Sequence, residues 1–349
     1  MLFRSYCGPV HQELGFYTLA GAPRSPRDML DELAHAERLG LGTAFISERF
    51  NIKEAGALTG AACAATSSLG IITAATNHTT RHPVVTASWA STLHLISGGR
   101  FSLGIGRGIE AMFRAFGMPM ATTESMESFA LLMRRLWNGE TVLNHSDVTG
   151  TYPVLRLDPD FRLDIPLSIT AFGPRTLELG GRVFDNVILH TFFTDETTAR
   201  AVATVKGAAE RAGRDPSSVK VWSCFATIGD HLPADVRLKK TVGRLATYLQ
   251  AYGDLMVSTN NWDPAVLRRF REDTFVRGFA GALDAKATTA ELEHVAGLIP
   301  DEWLAPSANG SAAQCASAVR NQLALGCDGV IMHGASPTEL EPIIGAYAG

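Results

Sequence analysis

Residues 69–108 read LGIITAATNHTTRHPVVTASWASTLHLISGGRFSLGIGRG, and this stretch decides the fold. Ile71–Thr76 is a short apolar run rich in β-branched residues, the mark of a strand buried on both faces. Pro83 opens a run in which Val84, Trp89, Leu93, Leu95 and Ile96 fall mostly at helical spacing, stopped by Ser97-Gly98-Gly99. Proline at the first helical position and glycine just past the end is the asymmetry of a helix. Phe101–Gly106 is the next buried strand. Each strand runs into a polar or glycine-rich segment, Asn77–His82 and Arg107–Glu110. Parallel strands joined by helices bring such segments to one face, where chemistry collects.

The same alternation extends in both directions. Strands are expected at Leu14–Ala20, Thr43–Ser47, Leu167–Ala171, Val187–Leu189, Val219–Ile228 and Gly329–Met332. Helices are expected from about Pro26 to Leu39, near Ala57–Ser67, over Thr122–Trp137, from Pro174 to Gly180-Gly181, over Asp195–Ala212 and over Ala312–Leu325. Two segments break the rhythm. Residues 138–164 hold turn residues and short β-like pieces and predict an inserted hairpin. Residues 231–309 are helical but irregular and too long for one connection, which reads as an excursion over the barrel mouth, either a pocket wall or simple elaboration. The expectation is one α/β domain over 1–349, a (β/α)8 TIM barrel with insertions.

Composition narrows the function. The chain has 349 residues, 46% of them hydrophobic and 19% charged, enough to bury a large core. A net charge of −4 gives no footprint for nucleic acid or an acidic membrane surface. Cys7, Cys63, Cys224, Cys315 and Cys327 are scattered and never form a Cys-x-x-Cys pair, as in reduced thiols of a cytoplasmic protein. The opening MLFRSYCGPVHQELGF lacks a signal-peptide core, and no uncharged stretch reads as a membrane span.

Gly104-Ile105-Gly106-Arg107-Gly108 invites a dinucleotide-binding reading, but Ile109 stands where the fingerprint needs its last glycine. Thr79–Pro83 reads first as helix capping, with His82 as a cap-region residue and Arg81 facing the barrel or a carboxylate. Ala171-Phe172-Gly173-Pro174-Arg175-Thr176 leads a strand into a helix, whose free N–H groups and positive dipole suit a phosphate. His190 and His333 follow buried β runs and sit at strand ends as acid–base candidates or as satisfied core histidines. Glu110 is a candidate acid or an exposed loop residue. Glu48, His190 and His333 are too few for a metal cluster.

Taken in order, LGLGTAFISERF, TNHTTRHP, SGGRFSLGIGRG, ITAFGPRTLELGGRVFDNVIL and LGCDGVIMHG resemble the bacterial luciferase-like superfamily, on its coenzyme F420-dependent oxidoreductase branch. The resemblance covers most of the chain and is weakest between about residues 230 and 309. It implies hydride transfer between F420 and a small-molecule substrate. The alternatives are an FMN-dependent two-component monooxygenase served by a partner reductase, or a barrel that binds flavin or deazaflavin without turnover. It further implies a homodimer, and a bulge at the end of the third strand with a non-prolyl cis peptide at Ala74–Ala75. Ala74, Ala75, Thr76 and Asn77 would lie against the cofactor ring, with Asn77 either bonding its edge or capping the turn. Gly106, Arg107 and Gly108 would let the backbone approach the ring, because a Cβ there would collide. Phe172, Gly173, Arg175 and Thr176 would hold its phosphate or ribityl chain. Glu48 and Arg49 stand where F420-dependent alcohol dehydrogenases carry an acid followed by a basic His. Arginine cannot take up that proton at neutral pH, so Arg49 either binds an anionic substrate, stabilises a reduced ring, or pairs with Glu48.

Overall fold

Each buried β run of the sequence enters one closed parallel ring in the computed structural model. The strands are β1 (His11–Tyr17), β2 (Leu41–Ile46), β3 (Gly70–Thr73), β4 (Phe101–Ile105), β5 (Leu167–Thr170), β6 (Asn186–Ile188), β7 (Lys220–Gly229) and β8 (Gly329–His333). Every strand is parallel to the next, and β8 pairs with β1 to close the ring. This is the expected (β/α)8 barrel. The structure describes residues 10–21, 23–50, 52–157 and 162–349, so Cys7 and the rest of the opening segment lie outside the described residues.

β2 and β4 are buried at every residue, because helices cover the ring outside and side chains fill it inside. Phe45, Ile72, Ile188, Trp222 and Ile331 plug the interior, with Tyr17 packed against them. Phe45 and Trp222 meet edge-to-face at 5.1 Å between ring centroids, so the barrel is a packed core and not a pore. Between β3 and β4 the packing tolerates only glycine. A Cβ on Gly104 would stand 1.8 Å from the Thr73 carbonyl oxygen. The Thr73 hydroxyl donates to the Gly104 carbonyl at 2.9 Å, and the Gly104 N–H donates back at 2.6 Å.

The outer helices that matter for the site are α1 (Asp28–Arg38), α2 (Ala55–Ala65), α3 (Pro83–Ile96), α4 (Thr123–Trp137) and α5 (Pro174–Val183). His82 caps α3, its Nδ1 accepting from the Val84 N–H at 3.3 Å with Pro83 in the first turn. Thr122 and Ser125 form a reciprocal capping box on α4. Residues 142–147 and 150–155 form an antiparallel hairpin between α4 and β5.

Residues 234–304 are helical, led by α6 (Arg244–Asn260), and have a core of their own around Leu245, Leu249, Phe270, Leu292 and Trp303. Trp262 stacks on Trp303 at 4.5 Å. The segment is tied to two strand exits, those of β6 and β8. The Asn260 side chain donates to the Phe192 carbonyl at 2.9 Å and accepts from the Thr194 N–H at 3.2 Å. Lys240 donates to the Gly334 carbonyl at 2.7 Å.

Some boundaries differ from those read in the sequence. β1 begins and ends three residues before the expected Leu14–Ala20, because Leu19 takes a positive φ of 53° and turns the chain out of the sheet. Three elements have no sequence counterpart: a short helix at Glu110–Ala115, a strand at Ala308–Gly310 on the end of β7, and a last helix at Pro337–Ala348. The first two are too short to show periodicity, and Pro342 interrupts the pattern of the third. Among the described residues no helix is long and apolar enough to cross a membrane, and Cys63, Cys224, Cys315 and Cys327 are all buried thiols.

Candidate active site

The exits of β2, β3, β4, β5, β6 and β8 meet α6 at the C-terminal mouth of the barrel. The β3 exit is sewn to both neighbours. The Ala74 N–H donates to the Ile46 carbonyl at 2.7 Å, and the Glu48 N–H to the Ala75 carbonyl at 3.2 Å. The Thr76 N–H donates to Gly104 and the Gly106 N–H to Thr76, both at 3.0 Å. The Ala74–Ala75 peptide is cis, as the resemblance implied.

Below this seat lies a charged knot. The Glu48 carboxylate, whose side chain is only 6% exposed, accepts from Arg81 at 2.7 Å, the Thr76 hydroxyl at 2.6 Å and the Asn77 amide at 3.1 Å. Arg81 also reaches Glu54 at 2.5 Å and lies over the Trp89 ring at 5.4 Å. Asn77 spends its side chain inside the loop, its oxygen accepting from the N–H groups of Thr79 and Thr80 at 3.1 and 3.0 Å. Asn77 thus caps a turn, one of the two roles read for it in the sequence. Arg81→Met would leave the Glu48 charge buried without its counter-ion. With Arg81 itself one-fifth exposed, the expected loss is about 2–3 kcal/mol of stability. Calorimetry would register this as a melting temperature several degrees lower, and an unchanged melt would show that the knot is energetically neutral.

The β4 exit carries Gly106, Arg107 and Gly108. The reason for these glycines differs from the one expected. A Cβ on Gly106 would meet the Thr170 hydroxyl at 2.5 Å and Ala75 at 3.0 Å, and one on Gly108 would meet the Phe113 ring at 2.3 Å. Packing within the protein already excludes side chains there. Arg107 donates to the Thr123 hydroxyl. Burial and the charge of Arg175 across the mouth both lower its pKa. Neither arginine has a carboxylate partner among the described residues. Glu110 is 63% exposed and paired with Arg114 at 2.6 Å one turn on.

The β5 exit is different. Gly173 precedes α5 with φ −91°, which any residue adopts, and a Cβ there would touch nothing closer than a Leu255 methyl at 3.9 Å. No neighbour in the protein requires this glycine, so open space lies in front of a helix N-terminus. Thr176 is buried in the first turn and Arg175 is exposed beside it.

His190 ends β6 inside an aromatic box. Its ring lies 4.3 Å from Phe172, 4.8 Å from Tyr248, 5.7 Å from Tyr252 and 6.5 Å from Phe193. Its Nδ1 is 3.0 Å from the Thr191 carbonyl, which fixes the proton on that nitrogen and leaves Nε2 as an acceptor. Burial pushes its pKa down to about 4, so it is neutral at physiological pH. Tyr248 and Tyr252 come from α6, which departs from helical geometry at Tyr252 (φ −136°, ψ 17°).

His333 ends β8 with its ring edge-on to Tyr17 at 5.4 Å and its buried Nδ1 without a hydrogen-bond partner. Burial, then the charge of Arg244, hold it well below the usual histidine range. Arg244 forms a buried ion pair with Asp284 at 2.8 Å. Lys53, 2% exposed, donates to the Leu19 carbonyl at 3.0 Å, and burial with the charge of Arg49 lowers its pKa to about 7. Arg49 donates to the Gly21 carbonyl at 3.0 Å and does not pair with Glu48, whose oxygens are taken by Arg81. Among the described residues no cluster of three metal-ligating side chains is present.

The mouth therefore gathers Arg49, the 74–77 loop, Arg107, Phe172, Gly173, Arg175 and His190. Sequence reading missed Tyr17, Lys53, Arg244, Tyr248 and Tyr252. The one available signal was the spacing of Tyr248 and Tyr252, which puts both on one face of a helix.

Residues 8–328 match the model of the luciferase-like monooxygenase family. A 5,10-methylenetetrahydromethanopterin reductase from Methanolobus tindarius is 30% identical over 255 residues, covering 69% of this chain and 74% of the relative. A phthiodiolone/phenolphthiodiolone dimycocerosates ketoreductase from Mycobacterium tuberculosis is 37% identical over 146 residues, covering 40% of this chain and 38% of the relative. Among solved structures, a coenzyme F420-dependent tetrahydromethanopterin reductase from Methanopyrus kandleri superposes with a TM-score of 0.79 at 19% identity, over 97% of this chain and 98% of that one. An F420-dependent secondary alcohol dehydrogenase superposes with a TM-score of 0.71 at 18% identity, over 96% and 98%.

Proposed function

The chain belongs to the luciferase-like monooxygenase family, and from that premise we propose that it is an oxidoreductase transferring hydride between coenzyme F420 and a small organic substrate. The observation that carries the reading is the anion-ready β5 exit. Open space at Gly173 faces a helix N-terminus, and Arg107 and Arg175 stand together without carboxylates. F420 carries a phosphodiester and an acidic tail, which fit such a site. The reductase relative and the two F420-named structures favour the deazaflavin over FMN.

When bound, the deazaflavin supplies a two-electron hydride donor or acceptor. The protein's residues do the rest. The backbone of residues 74–76 seats the ring, and Arg107, Arg175, Gly173 and Thr176 hold the anionic chain. Glu48 anchors the 74–81 loop by accepting from Arg81, Thr76 and Asn77. His190, neutral and oriented by Thr191, offers Nε2 to a substrate hydroxyl. Phe172, Phe193 and Tyr252 keep water from the reacting atoms. Glu110 has no part in this arrangement. We read the exposed apolar residues Val85, Leu95 and Ile96 of α3 as part of a homodimer face in a cytoplasmic enzyme.

Fluorescence-monitored titration tests the cofactor. Micromolar binding of oxidised F420 with FMN bound far more weakly is the expected result. The reverse preference would select a reductase-fed monooxygenase, and binding of neither would overturn the site. Gly173→Ser gives a sharper check. Serine suits a helix N-cap, so the melting temperature should hold while F420 affinity falls about tenfold as the side chain fills the open space.

A further inference from the structure

We propose that Arg49 is the recognition group for a carboxylate on the substrate, so that the small molecule this enzyme acts on is an organic acid. The inference rests on the oxidoreductase reading above and names its substrate class. Three cations reach the mouth of the barrel, Arg49 and Lys53 from the β2 exit and Arg244 from α6. Arg244 is matched by Asp284 at 2.8 Å, and Lys53 lies near Glu32, whose charge it feels. The Arg49 side chain makes one hydrogen bond, to the Gly21 carbonyl, and no ion pair among the described residues, and the acid whose charge it feels, Asp284, is already bound by Arg244. A guanidinium has five N–H donors in a planar fork, so most of its capacity faces the mouth unused.

The surroundings agree in sign. Arg49 feels the positive charge of Arg244 and lies within electrostatic reach of Tyr248, Asp284 and Tyr252, which places it beside the aromatic box around His190. The acid nearest in sequence, Glu48, faces the other way into its knot with Arg81. His190 and His333 are held neutral and supply no counter-charge. The mouth therefore has an excess of positive charge beside Tyr248 and Tyr252, and Arg49 is exposed there, within reach of an incoming ligand. A carboxylate is planar and accepts two parallel N–H bonds from one guanidinium, which a neutral ketone or alcohol does not.

The test is calorimetric titration of the purified protein with pyruvate and with its neutral methyl ester as probes, with and without oxidised F420 and with no reductant present. Pyruvate should bind in the millimolar range or better and the ester at least tenfold more weakly. Arg49→Gln should weaken pyruvate roughly 10- to 100-fold, with F420 affinity and melting temperature unchanged. Arg49→Lys keeps the charge but not the fork and should recover only part of the loss. It also serves if the glutamine variant fails to fold. Equal binding of acid and ester, or full pyruvate binding by Arg49→Gln, would overturn the proposal. Because the probes need no turnover, the outcomes separate. Acid binding through Arg49 without F420 binding would sink the cofactor reading and leave this one standing. F420 binding without acid preference would do the opposite.

Discussion

Gly104→Ala is expected to remove most of the stability of this protein. The added methyl would sit 1.8 Å from the Thr73 carbonyl oxygen and 3.2 Å from the Ser168 Cβ, in a strand buried at every residue. The first of these is a backbone atom, so no rotamer change relieves the clash. β3 and β4 must separate, and the paired Thr73–Gly104 hydrogen bonds at 2.6 and 2.9 Å go with them. Overpacking of a core ordinarily costs about 1–3 kcal/mol. With two buried hydrogen bonds broken as well, a loss above about 4 kcal/mol is expected, against a total stability of about 5–15 kcal/mol. Soluble yield should collapse, and any folded fraction should melt roughly 10 °C or more below the parent. A melt within a few degrees of the parent would show that the sheet adjusts far more easily than its geometry implies. Gly173→Ser, where the protein leaves room, is the matched control.

Charge reversal at the β4 and β5 exits should produce the largest functional effect. Arg107 and Arg175 already repel each other across the mouth. Arg107→Glu would let the new carboxylate pair with Arg175, removing both cations from service and weakening F420 by about 10²-fold. Reversing both leaves two negative charges at the anion site, and the loss should reach about 10³-fold, since each charged hydrogen bond is worth about 1.5–3 kcal/mol. Titration at low and high salt is the measurement: the parent's affinity should fall as salt rises, and the double variant's should rise. An affinity for F420 unaffected by either change would mean that the anionic chain lies elsewhere.

What the sequence disclosed follows from how local each signal is. The 69–108 unit could be read because burial on both faces, proline at the helix start and glycine past its end are all written within a few residues of where they act. His82 as a cap and the 142–155 hairpin belong to the same class. The site was legible only where it lies on strand exits. Glu48 stood out because the resemblance places an acid there, and only the fold shows that Arg81, Thr76 and Asn77 bond to it. Glycines 106 and 108 pointed to a ligand, yet Thr170 and Phe113, both distant or out of view in a linear reading, already demand them. Tyr248, Tyr252 and Arg244 come from the segment with the weakest pattern, and Arg244 finds Asp284 forty residues away. Long-range pairing of that kind leaves no periodic trace.

The helical segment over residues 234–304 has a core built mostly from its own side chains, joined to the barrel at a few hydrogen bonds and at Phe172, Phe192 and Ala226. A substitution inside that core is therefore absorbed locally and leaves the ring of strands intact. The two halves of the reaction chamber are free to change at different rates: one end of the molecule keeps the redox partner constant, while the other presents an exchangeable face to whatever is to be oxidised or reduced. Descent with a fixed electron carrier and a shifting diet of substrates is the evolutionary behaviour such a division permits, and grafting this segment between related barrels is the engineering route it opens.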